Sequence, residues 1–180
     1  MNDTLDLPAF DDDVVRAMAK WPDVPDCHGW LSLDSRGGWR IQGALVRHAR
    51  AQSFLGRHYR ADARGCWYVQ NGPQRVFVEL DYTPWIYRLQ PGDVLLTHTG
   101  VECTPIDAVL SDDDGNLLLS TPLGVGLLDD RDLGACVALF DDIDADGLPH
   151  VLRWRGARLP IATILRGDVP ARFGFEPRPH

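Results

Sequence analysis

Residues 62–80 read DARGCWYVQNGPQRVFVEL, and this run carries the signature of a β-hairpin with its entry turn. Asp62-Ala63-Arg64-Gly65 is a turn segment that leads into a strand at Trp67-Tyr68-Val69. Asn71-Gly72-Pro73 reverses the chain into Val76-Phe77-Val78-Glu79-Leu80. Side chains alternate across a strand, so Val76, Val78 and Leu80 point one way, and Phe77, Glu79 and Asp81 the other.

Upstream of this hairpin, residues 45–59 change to helical spacing, with Leu45, Ala49, Phe54, Leu55 and Tyr59 on or near one face. Before them, Leu31 and Leu33 alternate with polar residues. Asp34-Ser35-Arg36-Gly37-Gly38 supplies a turn, and Trp39-Arg40-Ile41 returns. A short helix is expected from Asp12, with Asp11 or Asp12 as its cap and Val14, Met18 and Trp21 at helical spacing. Pro22 stops it, and Pro22 and Pro25 hold an extended connector to Cys27. Residues 1–10 carry no periodicity and are expected to fray.

Downstream, the order recurs. Leu110, the turn Asp112-Asp113-Asp114-Gly115 and Leu117-Leu118-Leu119 form a hairpin. Asp130 to Phe140 reads as a helix with Leu133, Cys136, Val137 and Phe140 on its apolar face. Asp144-Ala145-Asp146-Gly147 then turns into Val151-Leu152-Arg153-Trp154, and Arg155-Gly156-Ala157-Arg158 into Leu159 to Ile164. Between the copies, Thr83 to Glu102 predicts two further strands about a Pro91-Gly92 turn, where glycine supplies the positive φ. The tail from Gly167 is expected to wrap the surface or to be partly disordered. The expected fold class is therefore α+β: two repeated hairpin–helix–hairpin units with antiparallel sheets packed against short helices. The divisions fall at 1–26 (helix and connector), 27–102 (first unit with the following strands), 103–166 (second unit) and 167–180 (tail).

Composition narrows the partners. The 180 residues are long enough to bury a substantial core. The 18 basic and 26 acidic residues give a net charge of −8, which disfavours nucleic acid and anionic membrane. Lys20 is the sole lysine, a bias of genome composition more than of a binding surface. Cys27, Cys66, Cys103 and Cys136 are widely spaced and read as buried thiols, not a disulfide frame. The acidic N-terminus lacks the order of a signal peptide, and no apolar run is long enough to span a bilayer. A cytoplasmic protein is expected.

Several of these segments share a pattern with a known family. Cys27-His28-Gly29, Arg36-Gly37-Gly38-Trp39, Gly43 to Arg47, Arg64-Gly65-Cys66-Trp67, Pro73-Gln74-Arg75 and Asp81-Tyr82-Thr83-Pro84 follow one another in the family's order. Pro149 to Ile164 matches its last hairpin. In this order the chain resembles the bacterial family known as domain of unknown function 1285. The resemblance implies a repeated α+β fold and a part in signalling or ligand sensing, with no established reaction. Gln74 stands where that family carries glutamate and Arg75 where it carries lysine, so a role for that carboxylate does not transfer.

Candidate chemistry is sparse. Asp142, Asp144, Asp146 and Gly147 imitate the opening of a calcium loop, but the twelfth position is Arg153 where a bidentate glutamate is needed. These residues read as a solvated acidic turn. His98 with Cys103 and Asp107 supplies a thiol, an imidazole and a carboxylate for a nucleophilic site, although nothing in the spacing draws them together. A zinc site from Cys27-His28 with Cys66 or Cys103 lacks short-spaced ligand pairs, so no metal and no cofactor are expected. Gly37-Gly38 and Gly124-Val125-Gly126 fit neither a P-loop nor a dinucleotide fingerprint. The segment 71–87 places Arg75, Glu79, Tyr82, Trp85 and Tyr87 on neighbouring strands, the aromatic walls and few charges that suit a small-molecule pocket. The alternative is a buried aromatic sheet face with a salt bridge. The preferred function is a non-enzymatic binding or regulatory module that senses a small molecule or a protein partner through a groove between its repeats. A small hydrolase or transferase working through His98 is the runner-up, and a structural or interaction protein the third reading.

Overall fold

The computed structural model describes residues 7–180, so the expected fraying of residues 1–6 lies outside the described residues. Pro8 and Phe10 are held in place, Pro8 by its carbonyl oxygen accepting from Arg60 and Phe10 by stacking on His58. In chain order the elements are α1 (Asp12–Lys20), β1 (Cys27–Leu33), β2 (Trp39–Ile41), β3 (Ala44–Leu45), α2 (Ala49–Arg57), β4 (Tyr59–Ala61), β5 (Trp67–Asn71), β6 (Gln74–Leu80), β7 (Trp85–Gln90) and β8 (Val94–Thr97). There follow β9 (Ala108–Asp112), β10 (Leu117–Thr121), β11 (Gly124–Leu128), α3 (Leu133–Cys136), β12 (Phe140–Ile143), β13 (Pro149–Trp154), β14 (Ala157–Ile164) and α4 (Val169–Phe173). The result is an α+β fold of mixed sheets and few, short helices. Two compact units are present: the described residues up to Pro84 together with Gly174–His180, and Trp85–Phe173.

The first unit holds a six-stranded sheet in the order β3-β2-β1-β6-β5-β4. Its neighbours are antiparallel except for β1 and β6, which run parallel, so the expected all-antiparallel sheet is corrected to a mixed one. The cause is the crossover through α2, which returns the last strand alongside the first. One face of this sheet is the core, where Leu31, Leu33, Trp39, Tyr59, Trp67, Val69, Val78 and Leu80 are buried. Trp39, Tyr59 and Trp67 form an aromatic chain with centroids 5.1 and 4.6 Å apart, and the Tyr59 hydroxyl donates to the Pro84 carbonyl at 3.0 Å. Helix α2 is shorter than the 45–59 spacing suggested. Leu45 pairs with Arg40 in the sheet, and Tyr59 already belongs to β4. His58, fully buried, ends the helix: its Nδ1–H donates to the Phe54 carbonyl at 2.8 Å and its Nε2 accepts from the Asp11 N–H at 3.1 Å. Those two partners fix the tautomer and tie the start of α1 to the end of α2.

The second unit holds an eight-stranded sheet in the order β12-β13-β14-β9-β10-β11-β7-β8. Here β14 runs parallel to β9, and β11 parallel to β7. The strands expected to follow the first repeat, β7 and β8, are hydrogen-bonded into this sheet. Gly126 makes the β11–β7 pairing possible, because a Cβ there would stand 2.4 Å from the Tyr87 ring. The expected helix 130–140 is broken into the 3-10 turn Asp130–Asp132, the single turn α3 and a second 3-10 turn, Val137–Leu139. The buried Asp129 carboxylate caps the first of these by accepting from the Arg131 N–H at 3.0 Å. The tail is ordered: α4 is anchored by the buried Val169, and Gly174–His180 docks on the first unit, with the Glu176 N–H donating to the Gly65 carbonyl and the Leu80 N–H to that of Pro177. Among the described residues no helix is long and apolar enough to cross a membrane.

Four hairpin turns share one construction. In each, an aspartate Oδ1 accepts two backbone N–H groups, two and four residues on, and a glycine three residues on has φ near +80°. Asp34 accepts from Arg36 and Gly38, Asp62 from Arg64 and Cys66, Asp112 from Asp114 and Asn116, and Asp144 from Asp146 and Leu148, all within 2.7–3.1 Å. This D-x-x-G turn stands in the sequence at all four positions, and the carboxylate does what a backbone carbonyl would do in a plain turn.

Candidate functional site

The residues singled out from sequence are divided between the two units: Arg75, Glu79 and Tyr82 belong to the first, Trp85 and Tyr87 to the second. Arg75 and Glu79 lie on the face of β6 opposite the core. The Arg75 guanidinium stands over Tyr68 and Phe77, 5.7 and 6.0 Å from their centroids, and pairs with Asp26 at 3.2 Å. Glu79 pairs with Arg178 of the tail at 2.7 Å. Tyr82 is buried. Trp85 and Tyr87 were expected to extend this patch through strand pairing with β6. Instead β7 pairs with β8 and β11, and both rings are fully buried in the other unit. There the Trp85 Nε1–H donates to the Leu123 carbonyl, and the Tyr87 hydroxyl contacts the Gly124 carbonyl and Thr121 Oγ1, each at 2.8 Å.

His98, Cys103 and Asp107 occupy three different settings. His98 Nδ1 accepts from the Ile86 N–H at 3.3 Å, and its ring lies against Trp85. Cys103 is fully buried and directs its thiol at the Leu95 carbonyl, 3.7 Å away. Burial pushes that thiol up to about 12, so it stays protonated at neutral pH and is a poor nucleophile. Asp107 is exposed, with its N–H donating to the Ser120 carbonyl. In the acidic turn, Asp144 spends one carboxylate oxygen on backbone N–H groups and the other on His150 Nε2 at 3.1 Å. Those bonds, the Leu148 N–H foremost, hold its carboxyl below the usual range. Among the described residues no group of three or more His, Cys, Asp or Glu is placed to hold a metal.

An apolar concavity lies elsewhere, beneath α2. It is a cleft of about 500 Å³ whose floor is formed by Leu31 of β1, Ile41 of β2, Val69 of β5 and Val76 of β6, and whose roof is Ala51, Phe54 and Leu55. Helix α2 has no fully buried residue, because its only large apolar side chains, Phe54 and Leu55, share one stripe and cover just part of the sheet. The cleft is the part left uncovered. A register shift in β1 between Cys27 and Leu31 accompanies the positive φ of Gly29, and Trp30 beside it reaches the rim, where it is 53% exposed. Polar groups are few: the Cys27 thiol, Asn71, and Gln74, whose amide donates to the Pro25 carbonyl. Size and lining match a small-molecule site, with apolar walls and a few polar groups at the edge.

The second unit has an apolar cleft of its own, about 400 Å³, between its sheet (Leu117, Phe140, Ile161) and Leu133 and Val137. A larger hollow of about 560 Å³ has a mixed lining, with Asp113, Asp168 and Arg172 beside Ile164 and Leu165. The cleft beneath α2 was not visible in the sequence; the exposed Trp30 following Cys27-His28-Gly29 was its only trace.

Comparison with known proteins gives the fold's relatives. A family model, DUF2944, described as "Protein of unknown function (DUF2946)", matches residues 10–180. A crystal structure of a DUF1285 family protein from Silicibacter pomeroyi DSS-3 superposes with a TM-score of 0.56 at 16% identity, over 79% of this chain and 85% of that one. A second DUF1285 family protein, from Shewanella baltica OS155, gives a TM-score of 0.47 at 15% identity, over 62% and 92% of the two chains. No curated protein matches.

Proposed function

The chain belongs to the DUF2944 family, and on that premise we propose that it is a binding module, acting in regulation or signalling, that holds a small apolar molecule in the cleft beneath α2. The observation that carries this proposal is the cleft itself: about 500 Å³ of apolar space between a rigid sheet and a helix that buries nothing completely. Burying apolar surface yields roughly 25 cal/mol per Å², so a ligand covering about 200 Å² of the wall gains about 5 kcal/mol before the costs of association. Submillimolar affinity at best is therefore expected.

The same proposal includes an internal duplication. Its support is the strand order, β3-β2-β1-β6-β5-β4 against β11-β10-β9-β14-β13-β12, with the first and last strands of each set parallel and the aspartate–glycine turns at matching hairpins. A place in the reducing cytosol is part of it too, supported by four cysteines that are all thiols.

A neutral probe tests the site. 1-Decanol, titrated by calorimetry, binds saturably to the wild-type protein and fails to bind Ala51→Trp, in which an indole fills the cleft. If 1-decanol does not bind the wild type, the cleft is not a ligand site.

A further inference from the structure

The charge around the two clefts differs in a way that composition does not explain. Residues 36–61, which supply β2, β3, α2 and β4 around the first cleft, contain six arginines and no Asp or Glu, in a chain of net charge −8. Residues 129–147, which flank the second cleft, contain seven aspartates and one arginine. The sign is opposite. An arginine-rich genome would not produce that contrast, because it acts on both segments alike.

Four of the six arginines are engaged. Arg40 pairs with Asp34 and Arg57 with Asp11, Arg60 donates to backbone carbonyls, and Arg36 has a partner as well. Arg47 and Arg50 are exposed and make no hydrogen bond or ion pair among the described residues. Arg50 lies four residues before Phe54, and residues four apart on a helix share a face, so its side chain leaves α2 on the same stripe as the Phe54 ring in the cleft roof. Arg47 stands at the approach to the same helix end. A guanidinium binds a carboxylate through two parallel N–H donors, which is worth most where no competing acid is near. Residues 36–61 supply no such acid, and the two acids that reach this segment from outside it, Asp34 and Asp11, are paired with Arg40 and Arg57.

We propose that the cleft beneath α2 takes an anionic amphiphile, a molecule with an apolar tail and a carboxylate head, the tail lying between Leu31, Val76 and Phe54 and the head on Arg47 and Arg50. This rests on the cleft being the binding site.

Three probes with one tail separate the claims: decanoate, 1-decanol and decyltrimethylammonium, each titrated by calorimetry below its micellar concentration. Decanoate binds at least tenfold more tightly than 1-decanol, and the cation more weakly than either. In the double variant Arg47→Ala/Arg50→Ala, decanoate falls to the affinity of 1-decanol, which itself is unchanged. Both arginines are exposed, and circular dichroism checks that the variant keeps its fold. Equal affinity of decanoate and 1-decanol, both lost in Ala51→Trp, overturns the preference for an anion and leaves the cleft standing as a site. Decanoate binding that survives Ala51→Trp overturns the assignment of the carboxylate to this cleft. If none of the three binds, the cleft itself fails as a site.

Discussion

Replacing Gly65 by alanine separates a turn's intrinsic strain from the docking of the tail upon it. Gly65 and Gly147 hold the same position in two copies of the aspartate–glycine turn, with φ of +78° and +81°. A side chain at either costs about 1–2 kcal/mol for the left-handed backbone alone. Their surroundings differ. A Cβ at Gly147 meets nothing within 4 Å, whereas one at Gly65 would stand 2.1 Å from the Gly174 carbonyl oxygen and 2.9 Å from the Phe175 Cα. Both contacts are backbone and cannot swing aside, so the tail has to lift. Lifting it gives up the Glu176 N–H to Gly65 carbonyl bond, roughly 0.5–1.5 kcal/mol. It also exposes the buried Phe175, roughly 1.5–3 kcal/mol. Gly65→Ala should therefore cost about 3–6 kcal/mol and Gly147→Ala about 1–2 kcal/mol, measured by urea denaturation of the unit that carries each. Removing residues 174–180 provides the cycle: in the truncated chain Gly65→Ala should cost no more than Gly147→Ala does. Equal costs in the full-length protein would refute the docking of the tail on this turn.

Three other outcomes follow from the geometry. Burial raises the Asp62 carboxyl, but the Cys66 and Arg64 N–H groups and the Arg64 guanidinium lower it further, so it titrates below its ordinary value of 3.8. Asp144 is lowered as well. The stability these carboxylates add is present above about pH 4 and is lost as pH falls through their folded-state values. Asp62→Asn keeps the Oδ1 acceptor, so the melting temperature should fall less steeply between pH 4 and pH 2 than in the wild type; an unchanged slope would remove Asp62 from the acid response. Millimolar calcium should leave the melting temperature unmoved, since the Asp144 oxygens are already engaged and Arg153 occupies the twelfth position; a saturable rise would show a calcium site. Arg75→Ala breaks a half-exposed pair with Asp26 worth roughly 0–1 kcal/mol. It should leave 1-decanol binding intact, because Gln74 and Val76, not Arg75, line the cleft; loss of binding would move the site to the Arg75 face.

What the sequence disclosed was local, and what it withheld depended on distant partners. The hairpin at 67–80 and the helix from Asp12 follow from alternation, turn residues and capping within a few positions. Helix α2 was overextended because Leu45 keeps the helical period although it pairs with Arg40 in a strand. The partner of β7 lies some forty residues further on and is admitted only because residue 126 has no side chain, a fit that no period announces. For the same reason Trp85 and Tyr87 looked like pocket walls and are core. The four aspartate turns are legible as turns in the sequence, but the two backbone N–H groups each carboxylate accepts are visible only in the structure. A cleft is an absence of atoms, and only the packing of α2 on the sheet reveals it.

Cys27 gives the most direct test of the central claim, because its half-buried thiol lines the cleft while Cys66, Cys103 and Cys136 are buried. Burial also raises those three thiols, to about 12 for Cys103 and about 11 for Cys136, so near pH 8 alkylation of the native protein reports on Cys27. The measurement is the rate of Cys27 alkylation, read by mass spectrometry, against increasing 1-decanol. An apolar ligand in the cleft predicts a saturable fall in that rate of at least tenfold, with the same midpoint as calorimetric binding. A rate that stays constant while 1-decanol binds would place the ligand elsewhere and contradict the account.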